Sequence, residues 1–422
     1  MVTTIPVDPV AKPGLVLTAQ VVLLSSSPLL TIALIGRMPV DAMHVRGLYQ
    51  PVTFVLFAVV IGLGTTAQVA TARAVGSGER QQVRGILTSL LRTGVLVSLG
   101  LTVACLCLVP FVDHRLLALI GAMTMTVPFS VAGELTSGAL LGAGFTGVST
   151  AVAAAHVVLH GAVVAVVGLG LGAGLVSLPI AAVVAGGMEF LAGALLLRRR
   201  GLLAGSAVSV SMRPLLLQVG LPSAGTLLVL FGVTLVLVVI VTPFGPAAIT
   251  AVAVGAVVEE LVLAPAFGFG IMMGSLMNRA LAAGERERAW SVFRRGTALA
   301  AAAYAVLALA MLLVGQWLAP LVTSDPATSA AVEHCLGIVG PSLGAAGITV
   351  TMLTVVQQLG FGALPLLLNV LHYVTVLSVG AALIAHGSLA ALYWTISLAA
   401  VVSAAAGVPL AWWITRRAVF RR

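Results

Sequence analysis

Apolar runs about as long as a lipid bilayer is thick follow one another along this chain from residue 14 to residue 413. Crossing the hydrocarbon as a helix takes roughly 20 mainly apolar residues, and about twelve such runs can be counted. Between them no stretch is polar enough or long enough to form a water-soluble domain. The chain is 60% hydrophobic and only 8% charged, whereas a soluble domain carries roughly 25% charged residues. Its mean hydropathy is +1.18. The expected fold class is an all-α polytopic membrane protein.

The formal charge of +9 invites a nucleic-acid partner, but the placement of the charge argues for topology instead. Of the 21 Lys and Arg residues, only Arg37, Arg46 and Arg115 fall at one set of alternate span ends. The other set collects all the rest, from Lys12 through Arg198, Arg199, Arg200, Arg294 and Arg295 to Arg416 and Arg417. Such a bias is the positive-inside signature and puts both termini in the cytoplasm. The basic balance therefore reads as orientation and contact with lipid headgroups, with no nucleic-acid partner. The expected location is the plasma membrane, with many passes.

Cys105, Cys107 and Cys335 lie in or beside apolar segments without metal spacing, so neither a disulfide framework nor a metal site is expected. Residues 1–13 lack the compact basic region, short apolar run and cleavage site of a secretory signal. Span 1 is expected to stay as an anchor.

Glycine-rich turns punctuate the spans: Gly76-Ser77-Gly78, Gly142-Ala143-Gly144, Leu169 to Gly174, and Leu359-Gly360-Phe361-Gly362. The longest inner connection, residues 201–212, follows Arg198-Arg199-Arg200. It divides the chain into an N-terminal six-helix bundle, residues 1–200, and a C-terminal one, residues 213–422. The halves repeat one another. At one fixed offset and without a gap, Gly62-Leu63-Gly64 meets Gly268-Phe269-Gly270, Arg73 meets Arg279, and Gly78-Glu79-Arg80 meets Gly284-Glu285-Arg286. Six spans per half give both halves the same orientation, a pseudo-two-fold parallel repeat, with a substrate site expected between them near the midplane.

Acids inside spans are the strongest functional signal. Glu259 and Glu260 interrupt a membrane-length run, and a charged acid at a helix centre costs roughly 2.5–3.5 kcal/mol on insertion scales. Glu259 is the first candidate for ion coupling and substrate binding, because a carboxyl at that depth can hold a proton in one state and a charge in another. Glu260, about 100° farther round the helix, is at best its neighbour. His156 and His160 share a helix face at i and i+4, and imidazole changes charge near pH 6.5 or so. Glu134 in span 4 is a candidate partner for a histidine, and Glu189 has no evident role. In span 11, Asn369, His372 and Tyr373 line up as polar groups beside Glu259, although interhelical packing explains such residues equally well.

The residues around Glu259 resemble the multidrug and toxic compound extrusion (MATE) transporters. The resemblance rests on Val257-Val258-Glu259, Pro265-Ala266-Phe267-Gly268 and Ala283-Gly284-Glu285-Arg286-Glu287-Arg288-Ala289. Val219-Gly220-Leu221-Pro222, Ile35-Gly36-Arg37 and residues 73–80 add to it. It implies two six-helix bundles and export of a bulky, often cationic compound against entry of protons or sodium. The chain also departs from the family. Where many members carry an Asp in span 1, six residues before the Arg matched by Arg37, this chain has Thr31. In span 5 the family's Asn and Asp positions fall on His156 and His160 by local pattern. Counted from the Gly144 turn, they fall on His160 and Val164. Span 10 offers Thr349 and Thr351 but no acid in its core, which favours protons over sodium.

The expected function is a secondary active efflux transporter. By alternating access it would exchange protons, less readily sodium, for a cationic or amphipathic organic compound. It would work as a monomer in the bilayer, without a cofactor. An enzyme would need a nucleophile or metal cluster at span depth, and none occurs. A lipid-linked precursor flippase of the same wider superfamily is the alternative; the lack of Arg or Lys within any span core speaks against it.

Overall fold

The structure is a computed structural model that describes residues 11–38, 41–107, 114–204, 210–319, 325–384 and 388–420. The expectations for the termini, for the middle of the inner linker and for Ser324 fall outside the described residues, as do the side chains of Lys12, Asp41, His44, Arg46, Cys105 and Arg115. Long helices follow in order: α1 (Ala11–Ile35), α2 (Asp41–Gly76), α3 (Gln82–Cys107), α4 (His114–Gly142), α5 (Thr146–Val163) and α6 (Ser177–Arg199). The second half supplies α7 (Leu221–Val241), α8 (Pro246–Ala282) and α9 (Arg286–Val314). In α10, Pro326–Val339 and Leu343–Val356 flank the 3₁₀ turn Gly340–Ser342, and α11 (Ala363–Ile384) and α12 (Leu389–Phe420) complete the set. Among the described residues no strand occurs, and 11 helical segments are long and apolar enough to span a membrane by length and composition. The 25-residue α1 precedes them. The protein is an all-α, multi-pass membrane protein, as its apolar tiling requires.

The internal repeat has a geometric counterpart. Gly78 and Gly284 both take the left-handed conformation, with φ of 83° and 79°. Ahead of them, Ser77 N donates to Arg73 O at 2.9 Å and Ala283 N to Arg279 O at 3.0 Å. Gly78 N then donates to Val75 O and Gly284 N to Leu281 O. Both α2 and α8 thus end in the same glycine-closed turn, which satisfies carbonyls that the helix end leaves open. The matched glycines are required there because a Cβ would strain this backbone. With 36 and 37 residues, these two helices outrun the roughly 20 residues a bilayer needs.

Contacts divide the chain into two compact units. One comprises Ala19–Ala224 and Ser275–Glu285. Its core joins Leu56, Leu63 and Ala67 of α2 to Leu90 of α3, Leu135 and Ala139 of α4, and Leu197 of α6. Backbones approach closely there. A Cβ on Gly138 of α4 would lie 2.5 Å from Gly64 O of α2, and one on Gly186 of α6 would lie 3.0 Å from Phe129 O of α4. Also in this unit, the end of α8 packs on α2 and α4: Arg73 Nε donates to Asn278 Oδ1 at 2.9 Å, and Ser275 Oγ to Leu141 O at 3.3 Å.

The other unit comprises Met1–Thr18, Gly225–Gly274 and Arg286–Arg422. Its core gathers Val241, Ala251, Val252, Val332, Cys335, Leu336, Leu343, Leu392 and Tyr393. Cys335 and Cys107 carry free thiols, the first buried and the second exposed. Outside the hydrocarbon, the Asp325 carboxylate caps α10, accepting from Thr328 N at 2.9 Å and Thr328 Oγ1 at 2.6 Å. Those bonds hold its pKa below the usual carboxylate value. The outward surfaces of both units are apolar, with Val158 67% exposed in the first and Val239 71% exposed in the second, as lipid-facing residues should be.

Close backbone approach gives a direct test. Gly138→Val drives side-chain atoms into the α2 backbone and should cost roughly 1–3 kcal/mol. Gly100→Val, where nothing lies within 4 Å, should leave stability nearly unchanged. Thermal unfolding of both variants in detergent checks the pair.

Candidate functional site

In the first unit the polar side chains converge where α4, α5 and α6 meet. Along α6 the buried positions Ala181, Ala185, Glu189, Gly193 and Leu197 recur every fourth residue and form the packing stripe. Glu189 is therefore carried into the bundle by small neighbours, with its side chain 8% exposed. Its Oε2 lies 2.7 Å from His156 Nδ1 of α5, an ion-pair separation; the approach lacks the alignment of a hydrogen bond. The α4 backbone makes room for it at Gly133, where a Cβ would stand 3.0 Å from Glu189 Oε2. The rings of His156 and His160 stack at 6.2 Å, 5° from parallel.

The partner at ion-pair distance of His156 is thus Glu189, and Glu134 faces elsewhere. Its Cγ occupies the space beside Gly64 of α2 that a Cβ there would fill. The two carboxyl groups remain within electrostatic reach of each other. Thr31, at the position where the family's Asp is absent, returns its hydroxyl to Ser27 O of its own helix at 2.9 Å.

A polar ladder in this unit had no forerunner in the sequence reading. Gln20 of α1, 4% exposed, accepts from Thr150 Oγ1 of α5 at 2.9 Å and sends Nε2 toward Ser149 Oγ at 3.5 Å. Ser149 in turn shares a 2.9 Å hydrogen bond with Ser137 of α4. Single hydroxyls and an amide among apolar residues carry little signal until helix pairing brings them together. Glu189 was traceable, since its fourfold register with Ala181, Ala185 and Gly193 is written in the sequence.

In the second unit Glu259 is half-buried on α8 and Glu260 is exposed, as consecutive positions on one helix must diverge. Among the described residues Glu259 forms no ion pair. Tyr373 of α11 and Cys335 of α10 both lie within its electrostatic reach. The other polar groups of α11 are engaged in packing. Asn369 Nδ2 donates to Thr226 O of α7 at 3.4 Å, and His372 Nδ1 lies 2.8 Å from Ser403 Oγ of α12. Tyr304 of α9 donates to Val262 O, one turn from Glu259, at 3.0 Å. The hydroxyls of Thr349 and Thr351 return to Ala345 O and Gly347 O of their own helix. No group of three or more His, Cys, Asp or Glu that could hold a metal ion occurs among the described residues.

Spans at membrane length, repeated halves and acids held inside the helix bundles define a polytopic membrane transporter. The MatE family model matches residues 17–167 and 222–382. The chain belongs to that family, the MATE transporters, and is a transporter rather than an enzyme. The Vibrio cholerae MATE transporter VcmN in its bent form is similar at 20% identity and a TM-score of 0.84, over 97% of this chain and 96% of that one. A MATE structure in the straight conformation is similar at 16% identity and a TM-score of 0.87, over the same shares of 97% and 96%. An outward-facing multidrug resistance MATE transporter of the MOP superfamily is similar at 14% identity and 0.85, again over 97% and 96%. At these identities the likeness is one of fold. A search of curated proteins finds no match to this chain.

The Glu189–His156 pair can be weighed by a double-mutant cycle. Glu189→Gln, His156→Ala and the double variant, unfolded in detergent, should show a coupling of roughly 0.5–3 kcal/mol for residues in contact. The same cycle between Glu134 and His156 should give a smaller value.

Proposed function

We propose that this protein is a secondary active exporter that exchanges protons for a bulky, cationic or amphipathic organic compound across the plasma membrane. The observation that supports it most is Glu259, an acid in the middle of a membrane-length helix with no basic partner at ion-pair distance among the described residues. An ionised carboxylate at that depth is expensive, so its charge has to be met by a proton or by a cation. Proton and cationic substrate then compete for one group, and mutually exclusive binding is what exchange requires. One pH unit supplies about 1.4 kcal/mol per proton, and 100 mV adds about 2.3 kcal/mol per charge moved. Either can drive an exchanger whose two ligands exclude each other.

In this reading Tyr373 orients or hydrogen-bonds the Glu259 carboxyl in one of its states, and Glu260 plays no direct part. Asn369 lines the helix packing rather than the substrate. In the N-terminal half, Glu134, Glu189, His156 and His160 form a second set of proton-carrying groups, standing where Thr31 supplies no acid. The moving bodies are residues 1–200 and 213–422, joined by 201–212, in a monomer with both termini cytoplasmic that works by alternating access. Sodium is disfavoured because beside the Thr349 and Thr351 hydroxyls the span-10 core offers no acid.

In everted membrane vesicles energised by a pH gradient, Glu259→Gln should reduce uptake of a fluorescent organic cation by about tenfold or more, the loss of a charge-assisted contact worth roughly 1.5–3 kcal/mol. Glu260→Gln should transport as the parent does. Undiminished, gradient-dependent uptake by Glu259→Gln would sink the assignment. Replacing the pH gradient with a sodium gradient should fail to drive the parent.

A further inference from the structure

A second polar site stands away from the acids, at the end of α9 and α12 where arginines gather. Trp290, Arg294, Arg295 and Thr297 of α9, with Trp412 of α12, line an open groove of about 530 Å³. Its floor is an aromatic cluster. The Trp290 and Trp412 rings meet edge to face at 5.1 Å, and Phe293 packs on both, at 5.4 Å from Trp290 and 5.2 Å from Trp412. Beside it, the Arg417 guanidinium lies over the Trp413 ring at 3.8 Å.

Thr297 makes this groove more than a belt of interfacial tryptophans. Many helical threonines of the chain return their hydroxyls to a carbonyl one turn back, as Thr66 does to Gly62 O, Thr88 to Arg84 O and Thr351 to Gly347 O. The buried hydroxyls of Thr71, Thr226, Thr297 and Thr415 have no hydrogen-bond partner among the described residues; of these four, Thr297, 8% exposed, lines this groove. A buried hydroxyl left unpaired costs free energy, and a ligand oxygen would pair it. Two guanidinium groups, Arg294 and Arg295, share the lining with one carboxylate, Glu287, so the groove carries a net positive charge. Toward the hydrocarbon it continues over Ala298 and Ala301, which leave space along the helix.

We propose that this groove binds one anionic phospholipid, its phosphate held by Arg294, Arg295 and the Thr297 hydroxyl and its glycerol and acyl chains lying over Trp290, Trp412, Ala298 and Ala301. The polarity sequence of such a lipid, anion then ester then hydrocarbon, follows the polarity sequence of the groove. Arginine suits a phosphate through paired N–H donors, and tryptophan suits the ester region because its ring is apolar with one polar edge. A net charge of one on the lipid balances the net charge of the lining, whereas a zwitterionic headgroup leaves it unbalanced.

The test is native mass spectrometry of the full-length protein in detergent with added phosphatidylglycerol, phosphatidylethanolamine or phosphatidylcholine. The parent should retain phosphatidylglycerol in preference to the other two. Arg294→Gln/Arg295→Gln should lower that retention by about tenfold or more, since each basic side chain near an anionic lipid contributes measurably. Thr297→Val should lower it less, and serves where the double variant fails to fold, as judged by lipid-free thermal unfolding. Arg198→Gln/Arg199→Gln, which removes the same charge from the end of α6, should retain phosphatidylglycerol as the parent does. Equal retention of all three lipids, or an equal loss in the α6 variant, would overturn the proposal in favour of diffuse charge attraction. Displacement by inorganic phosphate at millimolar concentration would overturn it in favour of a simple anion site.

Discussion

Lipid tails are as apolar as leucine, so helices in a bilayer gain almost nothing by hiding apolar side chains from their surroundings. They must adhere through close contact and through the few polar bonds that span them. This constraint governs the bundle containing α2, α4 and α6. Glycine meets backbone at Gly138 against Gly64 and at Gly186 against Phe129, and large apolar residues such as Val158, 67% exposed, are turned outward. The same close approach makes space for polar side chains. Glu134 fits because Gly64 has no side chain, and Glu189 fits because Gly133 has none. Packing and polar chemistry are therefore one design, since the glycines that let the helices touch also create the slots that the acids occupy.

The acids are then handled in two different ways. Glu189 has a histidine at 2.7 Å, and replacing either member leaves the other in a poor environment. Glu259 has an aromatic hydroxyl and a thiol in electrostatic reach but forms no ion pair among the described residues. A carboxyl with an imidazole at that distance has a partner within the protein, while Glu259 must meet its charge from solution. That difference makes Glu259 the more suitable group for a ligand that comes and goes.

Much of this was legible in the residues. Span number, turn positions and the repeat followed from apolar length and from glycines at matched places, because those features are local and the membrane permits few alternatives. The shared left-handed turns at Gly78 and Gly284 are the plainest case, since a conformation only glycine adopts easily leaves a mark in one letter. Side-chain partnership is not local. His156 had two acids to choose from, Glu134 and Glu189, and the choice depended on which helix packs against α5. The Gln20–Thr150–Ser149–Ser137 ladder was harder still, since each member alone resembles any small polar residue in a membrane helix. The register of Glu189 with the small residues of α6 marks a buried face, a signal present in the residues although Glu189 has no evident role when they are read alone.

The groove at Trp290 and Trp412 follows from the same economy at the edge of the hydrocarbon, where the environment changes from oil to water over a few ångströms. A helix crossing that boundary carries apolar, aromatic and cationic residues in succession, and α9 does so within about four turns, from Ala301 through Trp290 to Arg286. An ordinary boundary helix leaves such residues to mobile lipids. Here α12 closes against α9 through rings that meet edge to face and leaves Thr297 buried with an unused hydroxyl. In the proposed site that hydroxyl takes its partner from the membrane. Since the adjoining charge is positive, the partner that completes the set must carry an anion at its head and hydrocarbon behind it.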